Sequence, residues 1–146
     1  MKPVEITDRR NAFQRVPFMA LLGMEREFAQ DGRARLAMEP RPELGNVIGA
    51  MHGGVLLTML DVAMASAAVS RHDFRLTAVT LNLDSSFVGP GRGRLTADGE
   101  VLDDDGSVAL CSASVTDAEG RLVAQALGSF RYLPLPGARP PEGDNP

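Results

Sequence analysis

The sequence contains no tryptophan, one tyrosine, one cysteine and two histidines among its 146 residues. A lone thiol, Cys111, excludes an intramolecular disulfide, and two histidines with one cysteine offer no zinc-type spacing. No metal and no cofactor are therefore expected, and the composition reads as that of a cytoplasmic protein. Positive charge is not in excess: 15 Lys and Arg stand against 19 Asp and Glu, a formal net charge of −4. The basic stripe of a nucleic-acid surface is missing, although a few local arginines would suffice for a small anionic ligand. Long hydrophobic runs are scarce too. The most apolar stretch, 53–69, is short for a membrane span and carries Asp61 near its middle, where an ionised carboxylate would be costly, so no membrane partner is expected. The first 15 residues are polar and charged, and no signal peptide is expected.

What is present is an ordinary globular composition, 44% hydrophobic and 23% charged, at the length of one domain. One domain is expected over 1–133. Residues 134–146, with prolines at 134, 136, 140, 141 and 146, read as a loose tail. A short helix is expected around 8–15, then a loop or turn over 17–23. Two strands, 24–29 and 33–38, flank Asp31-Gly32, a strong hairpin signal. Residues 39–51, with two prolines and two glycines, read as an ordered loop. Alanine, leucine and methionine dominate 54–71, and all three favour helix. That segment is apolar almost all round, as in a buried helix. The pattern then changes to period two. Val79, Leu81 and Leu83 fall on one face, and Thr80, Asn82 and Asp84 on the other. Gly89-Pro90-Gly91 ends that strand. Further strands are expected over 94–102, 108–116 and 121–133, separated by Asp104-Asp105-Gly106 and Asp117-Ala118-Glu119-Gly120. The result is an α+β architecture: two short strands, one buried helix, then four strands in a meander. A helix covered on every side needs a sheet that curls around it, and a second copy of the chain to close the open side.

The stretch Asn46-Val47-Ile48-Gly49-Ala50-Met51-His52-Gly53-Gly54, followed by Asp61, resembles the phenylacetate-degradation (PaaI-like) branch of the hotdog-fold acyl-CoA thioesterases. The likeness runs over residues 21–133. It includes the strand Ala78-Val79-Thr80-Leu81-Asn82-Leu83 and a closing hairpin over 117–130. The resemblance implies a curled antiparallel sheet wrapped around one long central helix, and metal-free hydrolysis of an acyl-CoA to free acid and coenzyme A. An aromatic or medium-chain acyl group is the expectation. Roles follow by matching positions. Asp61 is the implied catalytic carboxylate, nucleophile or general base. Asn46 helps hold the attacking water or the thioester. The Gly53 N–H polarises the thioester carbonyl, Thr80 positions the water, and His52 orders the loop. A homodimer with a site shared between subunits, assembled further as a dimer of dimers, is implied as well.

Elementary chemistry supports these positions. A thioester carbonyl gains negative charge under attack, and N–H groups at a helix N-terminus are unpaired and carry the positive end of the macrodipole. Gly53 and Gly54 have no side chain to obstruct a substrate there. Asp61 lies among Leu57, Met59, Leu60 and Met64, surroundings in which a carboxylate is expected to become more basic. The eight-residue step from Gly53 to Asp61 rises about 12 Å along a helix, too far for one carbonyl carbon to meet both. The site is thus expected to join Asn46 and Gly53 of one subunit to Asp61 and Thr80 of another. Arg92 and Arg94 are candidate ligands for the coenzyme A phosphates. Met51, Met59 and Met64 suit core packing or an acyl pocket, and Cys111 a small core position. Two alternatives are a non-hydrolytic acyl-CoA-binding protein of the same fold and an enoyl-CoA hydratase. The hydratase reading needs an aspartate–histidine pairing at a different spacing, which is not evident here.

Overall fold

The computed structural model describes residue 1 and residues 12–135. The helix expected over 8–15 lies mostly outside the described residues, and its last part is a 3-10 turn, Phe13–Arg15. The expected tail lies outside them from residue 136.

Residues 17–23 are not the plain turn that was expected. They form a short helix, α1 (Pro17–Leu22), with proline in its first turn and Gly23 at φ 68° closing it. A six-residue helix is too short to show periodicity, and its proline and glycine mimic a turn. Strands β1 (Glu25–Gln30) and β2 (Arg33–Met38) follow, joined through Asp31 and Gly32 at φ 51° and 81°. Two consecutive left-handed residues are what the tight hairpin requires. The long helix α2 spans Gly53–Arg71, and β3 (Leu76–Phe87), β4 (Leu95–Asp104), β5 (Val108–Thr116) and β6 (Leu122–Pro134) follow it.

All six strands form one antiparallel sheet in the order β1-β2-β4-β5-β6-β3. Every strand touches α2, so the sheet wraps the helix. Only β4, β5 and β6 form a true meander. The connection 88–94 passes over two strands and leaves β3 at the far edge, where among the described residues it pairs with β6 alone. Seven residues easily span three strand spacings of about 4.8 Å each.

The faces of β3 also differ from strict alternation. Thr80 pairs with Phe130 and Asn82 with Ser129, so Leu81 is an extra, bulged residue. The bulge puts Thr80 on the same face as Leu83, towards the helix, and turns Asn82 outward.

Leu56, Met59, Leu60, Ala63, Met64, Ala67 and Ala68 form the buried side of α2. They meet Leu36, Met38, Leu95, Val115 and Phe130, all fully buried. Helix and sheet approach most closely at Gly99, where a Cβ would lie 2.5 Å from the Ala63 carbonyl oxygen. Met51, Met59 and Met64 belong to this core. Cys111 does too, and burial, reinforced by Asp104, pushes its thiol up to about 12. By length and composition α2 could cross a membrane, but its packing at the centre of the sheet is that of a core helix. It is not covered on every side. Val55, Leu57, Thr58, Asp61, Val62, Ala65 and Val69 remain half-buried in the single chain.

Candidate functional site at the start of the central helix

The loop before α2 is organised by Asn46. Its side-chain oxygen accepts from the N–H groups of Ile48 (3.1 Å) and Ala50 (3.0 Å), and its own backbone N–H donates to the Ala50 carbonyl (2.8 Å). The Asn46 acceptor is therefore occupied. Its Nδ2 amide has no partner among the described residues, so Asn46 has only N–H donors to offer a ligand. It borders a cavity of about 450 Å³ lined also by Pro40, Arg41, Pro42 and Met51.

His52 is the N-cap of α2. Its Nδ1 accepts from the Gly54 N–H at 2.9 Å. An accepting Nδ1 carries no proton, so this contact belongs to the neutral ring with its hydrogen on Nε2. The cap consumes the Gly54 N–H, which was expected to face substrate. It leaves the Gly53 N–H as the donor without a partner among the described residues. The two glycines also differ in packing. A Cβ at Gly54 would press on the His52 ring at 3.1 Å, whereas one at Gly53 would make ordinary contact with the Phe87 ring at 3.7 Å. Packing within the chain thus explains Gly54 but leaves Gly53 free to be larger.

Two turns along α2, Asp61 is half-buried and accepts from Thr80 Oγ1 at 2.6 Å. The bulge in β3 makes this contact, because strict alternation would turn Thr80 away from the helix. The Thr80 proton is spent on Asp61 Oδ1. Thr80 therefore faces a ligand as an acceptor, and Asp61 Oδ2 has no partner among the described residues. Both groups lie beside a strand edge that is unpaired among the described residues, with Val79 and Leu81 41% and 51% exposed.

Of the two candidate phosphate ligands, Arg94 is already committed. It meets Glu39 at 2.8 Å, Glu25 at 3.2 Å and Glu27 at 3.7 Å, so its charge is more than balanced. The hydrogen bonds it donates to Glu39 and Glu25 raise its pKa. Arg94 could reach a phosphate only by giving up these ion pairs. Arg92 uses its backbone, donating to Asp117 Oδ2 at 3.2 Å, and its exposed side chain has no partner among the described residues.

A second polar cluster closes the other end of α2. Asp104 Oδ2 meets His72 Nε2 at 2.9 Å and accepts from the Tyr132 hydroxyl at 2.8 Å, while Oδ1 accepts from the Gly106 N–H at 2.7 Å. Burial pushes the Asp104 carboxyl up, but those hydrogen bonds outweigh it and hold the group below its ordinary 3.8. Burial and Asp104 push the Tyr132 hydroxyl upward. Nearby, Ser70 Oγ accepts from the Gly32 N–H at 3.0 Å and donates to the Ala67 carbonyl at 2.7 Å. Each member is satisfied, so this cluster fastens the helix to the sheet. The sequence had singled out neither this cluster nor Phe87. An aspartate in a turn and a phenylalanine ending a strand carry no signal without the tertiary contact.

Residues 48–124, just over half of the chain, match the model of the family described as "Thioesterase superfamily". A protein of Halobacterium salinarum named "Putative esterase" is 34% identical over 126 residues, covering 79% of this chain and 83% of that one. The solved structure of a thioesterase family protein from Silicibacter pomeroyi superposes with a TM-score of 0.80 at 26% identity, over 86% of this chain and 96% of that one. The E. coli PaaI protein from the phenylacetic acid degradation operon shares the fold, with a TM-score of 0.77 at 23% identity over 83% and 87% of the two chains. The chain belongs to the thioesterase superfamily. It has the hotdog fold of that family and is a thioester hydrolase.

Proposed function

We propose that the chain hydrolyses an acyl-CoA to free acid and coenzyme A, in a site completed by a second copy of itself. The observation that carries this reading is the polarity of the two half-sites. The start of α2 offers only donors, the Gly53 N–H and Asn46 Nδ2. The Asp61–Thr80 pair offers only acceptors, Thr80 Oγ1 and Asp61 Oδ2. A carbonyl oxygen turning into an oxyanion needs the first set, and an attacking water needs the second. With one hydrogen of the water on Thr80 and the other on Asp61 Oδ2, an oxygen lone pair is free to face the carbonyl carbon. Asp61 takes the proton as general base, the tetrahedral intermediate forms, and the C–S bond breaks with the thiolate leaving. His52 holds the loop and helix start rather than touching the reacting atoms.

Neither half-site is sufficient alone, because α2 separates Gly53 from Asp61 by about 12 Å. The edge strand β3 supports pairing with another copy. It is 12 residues long, unpaired on one side among the described residues and apolar at Val79 and Leu81, whereas the opposite edge, β1, is six residues long, bulged and charged. A homodimer through β3, with further pairing to a dimer of dimers, is part of the proposal, as is a cytoplasmic setting. Membership of the PaaI-like branch, and with it an aromatic or medium-chain acyl group, rests on the motif from Asn46 to Asp61. Exposed Arg92 is the remaining candidate for the coenzyme A phosphates. The test is thiol release over a panel of acyl-CoAs by wild type and Asp61→Asn. The reading requires release by wild type and its loss in the variant; equal rates would remove Asp61 from the mechanism.

A further inference from the structure

The ring of Phe87 lies directly against the start of α2. Its Cε1, Cζ and Cδ1 atoms come within 3.7, 3.9 and 4.0 Å of where a Gly53 Cβ would stand. Phe87 is the last residue of β3, on the helix-facing side with Leu83 and Ser85. It is fixed there by pairing with Ala124 and by the Val88 and Gly89 N–H groups, which both donate to the Val123 carbonyl (2.7 and 3.1 Å). Yet it is 52% exposed in the single chain, unlike Phe130, which is fully buried on the same sheet. A large apolar ring is thus held half bare beside the one helix-start N–H that has no acceptor among the described residues.

From this juxtaposition we infer that Phe87 is the specificity wall of the site: the acyl group of the substrate packs on its ring while the thioester oxygen accepts from the Gly53 N–H. This deepens the proposed function and rests on it. A thioester whose carbonyl oxygen lies in hydrogen-bond range of Gly53 carries two substituents on its carbonyl carbon, the acyl chain and the sulfur, and one of them must pass the ring. The sulfur arm of coenzyme A continues into amides and phosphates, which need polar partners the ring lacks. The acyl chain gains by leaving water for an aromatic face. The preferred substrate is therefore a thioester with an extended apolar or aromatic acyl group, and Gly53 stays without a side chain to keep the space between ring and N–H open.

The experiment compares wild type, Phe87→Leu and Phe87→Ala on acetyl-, octanoyl- and phenylacetyl-CoA. Binding of the matching S-alkyl coenzyme A thioethers, which cannot be hydrolysed, is measured in parallel by calorimetry, and assembly by gel filtration. Phe87→Ala is expected to lower kcat/KM for the two larger acyl groups at least about tenfold, mostly through KM, with acetyl-CoA little changed. Phe87→Leu should recover octanoyl- better than phenylacetyl-CoA. Equal loss on all three substrates, no loss on any, or dissociation of the assembly in Phe87→Ala would overturn the assignment. If wild type releases thiol from none of the three, the hydrolytic reading fails, and the thioethers decide the role of Phe87. A preference for the larger ones that Phe87→Ala abolishes upholds it, and a preference left intact, or no binding at all, overturns it.

Discussion

The two ends of α2 are built alike and finished differently. Each brings a histidine, N-cap His52 at one end and C-cap His72 at the other, and an aspartate accepts a hydroxyl from the sheet two turns in from the first end and beside the second: Thr80 on Asp61, Tyr132 on Asp104. At the C-terminal end every side chain of the cluster already has a hydrogen-bond partner, and the Asp104 side chain is 6% exposed. At the N-terminal end the Gly53 N–H and Asn46 Nδ2 have none among the described residues, nor has Asp61 Oδ2 two turns further along, and apolar Phe87 and Ile48 stand exposed. A closed network stabilises; an open one with matched polarity is ready for a ligand and a partner chain. The same ingredients serve structure or chemistry according to whether their hydrogen bonds are already spent.

Substitutions can break this contrast, beginning at the open end. Asp61→Asn should lower kcat by about 10²–10⁴-fold, the range for a lost general base, with little change in melting temperature. Asn46→Asp retains the oxygen that accepts from Ile48 and Ala50 but deletes the Nδ2 donors. A fall in kcat of about 10²-fold with an unaltered circular dichroism spectrum and melting temperature is expected. Asn46→Ala should instead lower both. Under the helix, Gly99→Ala drives a methyl group into the Ala63 backbone and should destabilise by about 1–3 kcal/mol in urea denaturation. At the closed end, Tyr132→Phe removes one buried hydrogen bond on Asp104 and should lose about 1 kcal/mol of stability while kcat/KM is unchanged.

Acid sharpens the comparison further. The folded carboxyl of Asp104 lies below its ordinary 3.8. Its contribution is therefore complete above the unfolded value and is lost as pH falls through the folded one. Wild type should exceed Asp104→Asn in melting temperature at pH 6, and the gap should narrow as pH falls below 3.8. A gap independent of pH would mean that the charge of Asp104 contributes nothing.

The sequence made most of the fold legible through strong local signals. Asp31-Gly32 marked the hairpin, the Ala, Leu and Met run marked α2, and the acidic turns marked β4 to β6. Non-local pairing was not legible. Nothing in 88–94 says that β3 lands beside β6 rather than β4, and the bulge at Leu81 is invisible to a period-two reading. That one residue decides whether Thr80 meets Asp61 or solvent. The motif from Asn46 to Asp61 marked the region of the site, but which groups were still free within it depended on hydrogen bonds: His52 capping Gly54, Asn46 holding its own loop, and Arg94 held by three glutamates. Phe87 was missed because only its contact with Gly53 distinguishes it from any other strand-end aromatic.

The claim that the open end of one helix is completed by Asp61 and Thr80 of another copy is tested most directly by mixing two inactive chains. Asn46→Asp and Asp61→Asn protein would be unfolded and refolded together, mixed dimers verified by differential tagging, and thiol release measured. Each mixed dimer should hold one site with both residues intact, so random mixing should restore about a quarter of wild-type activity. Verified mixed dimers no more active than either parent would contradict a shared site.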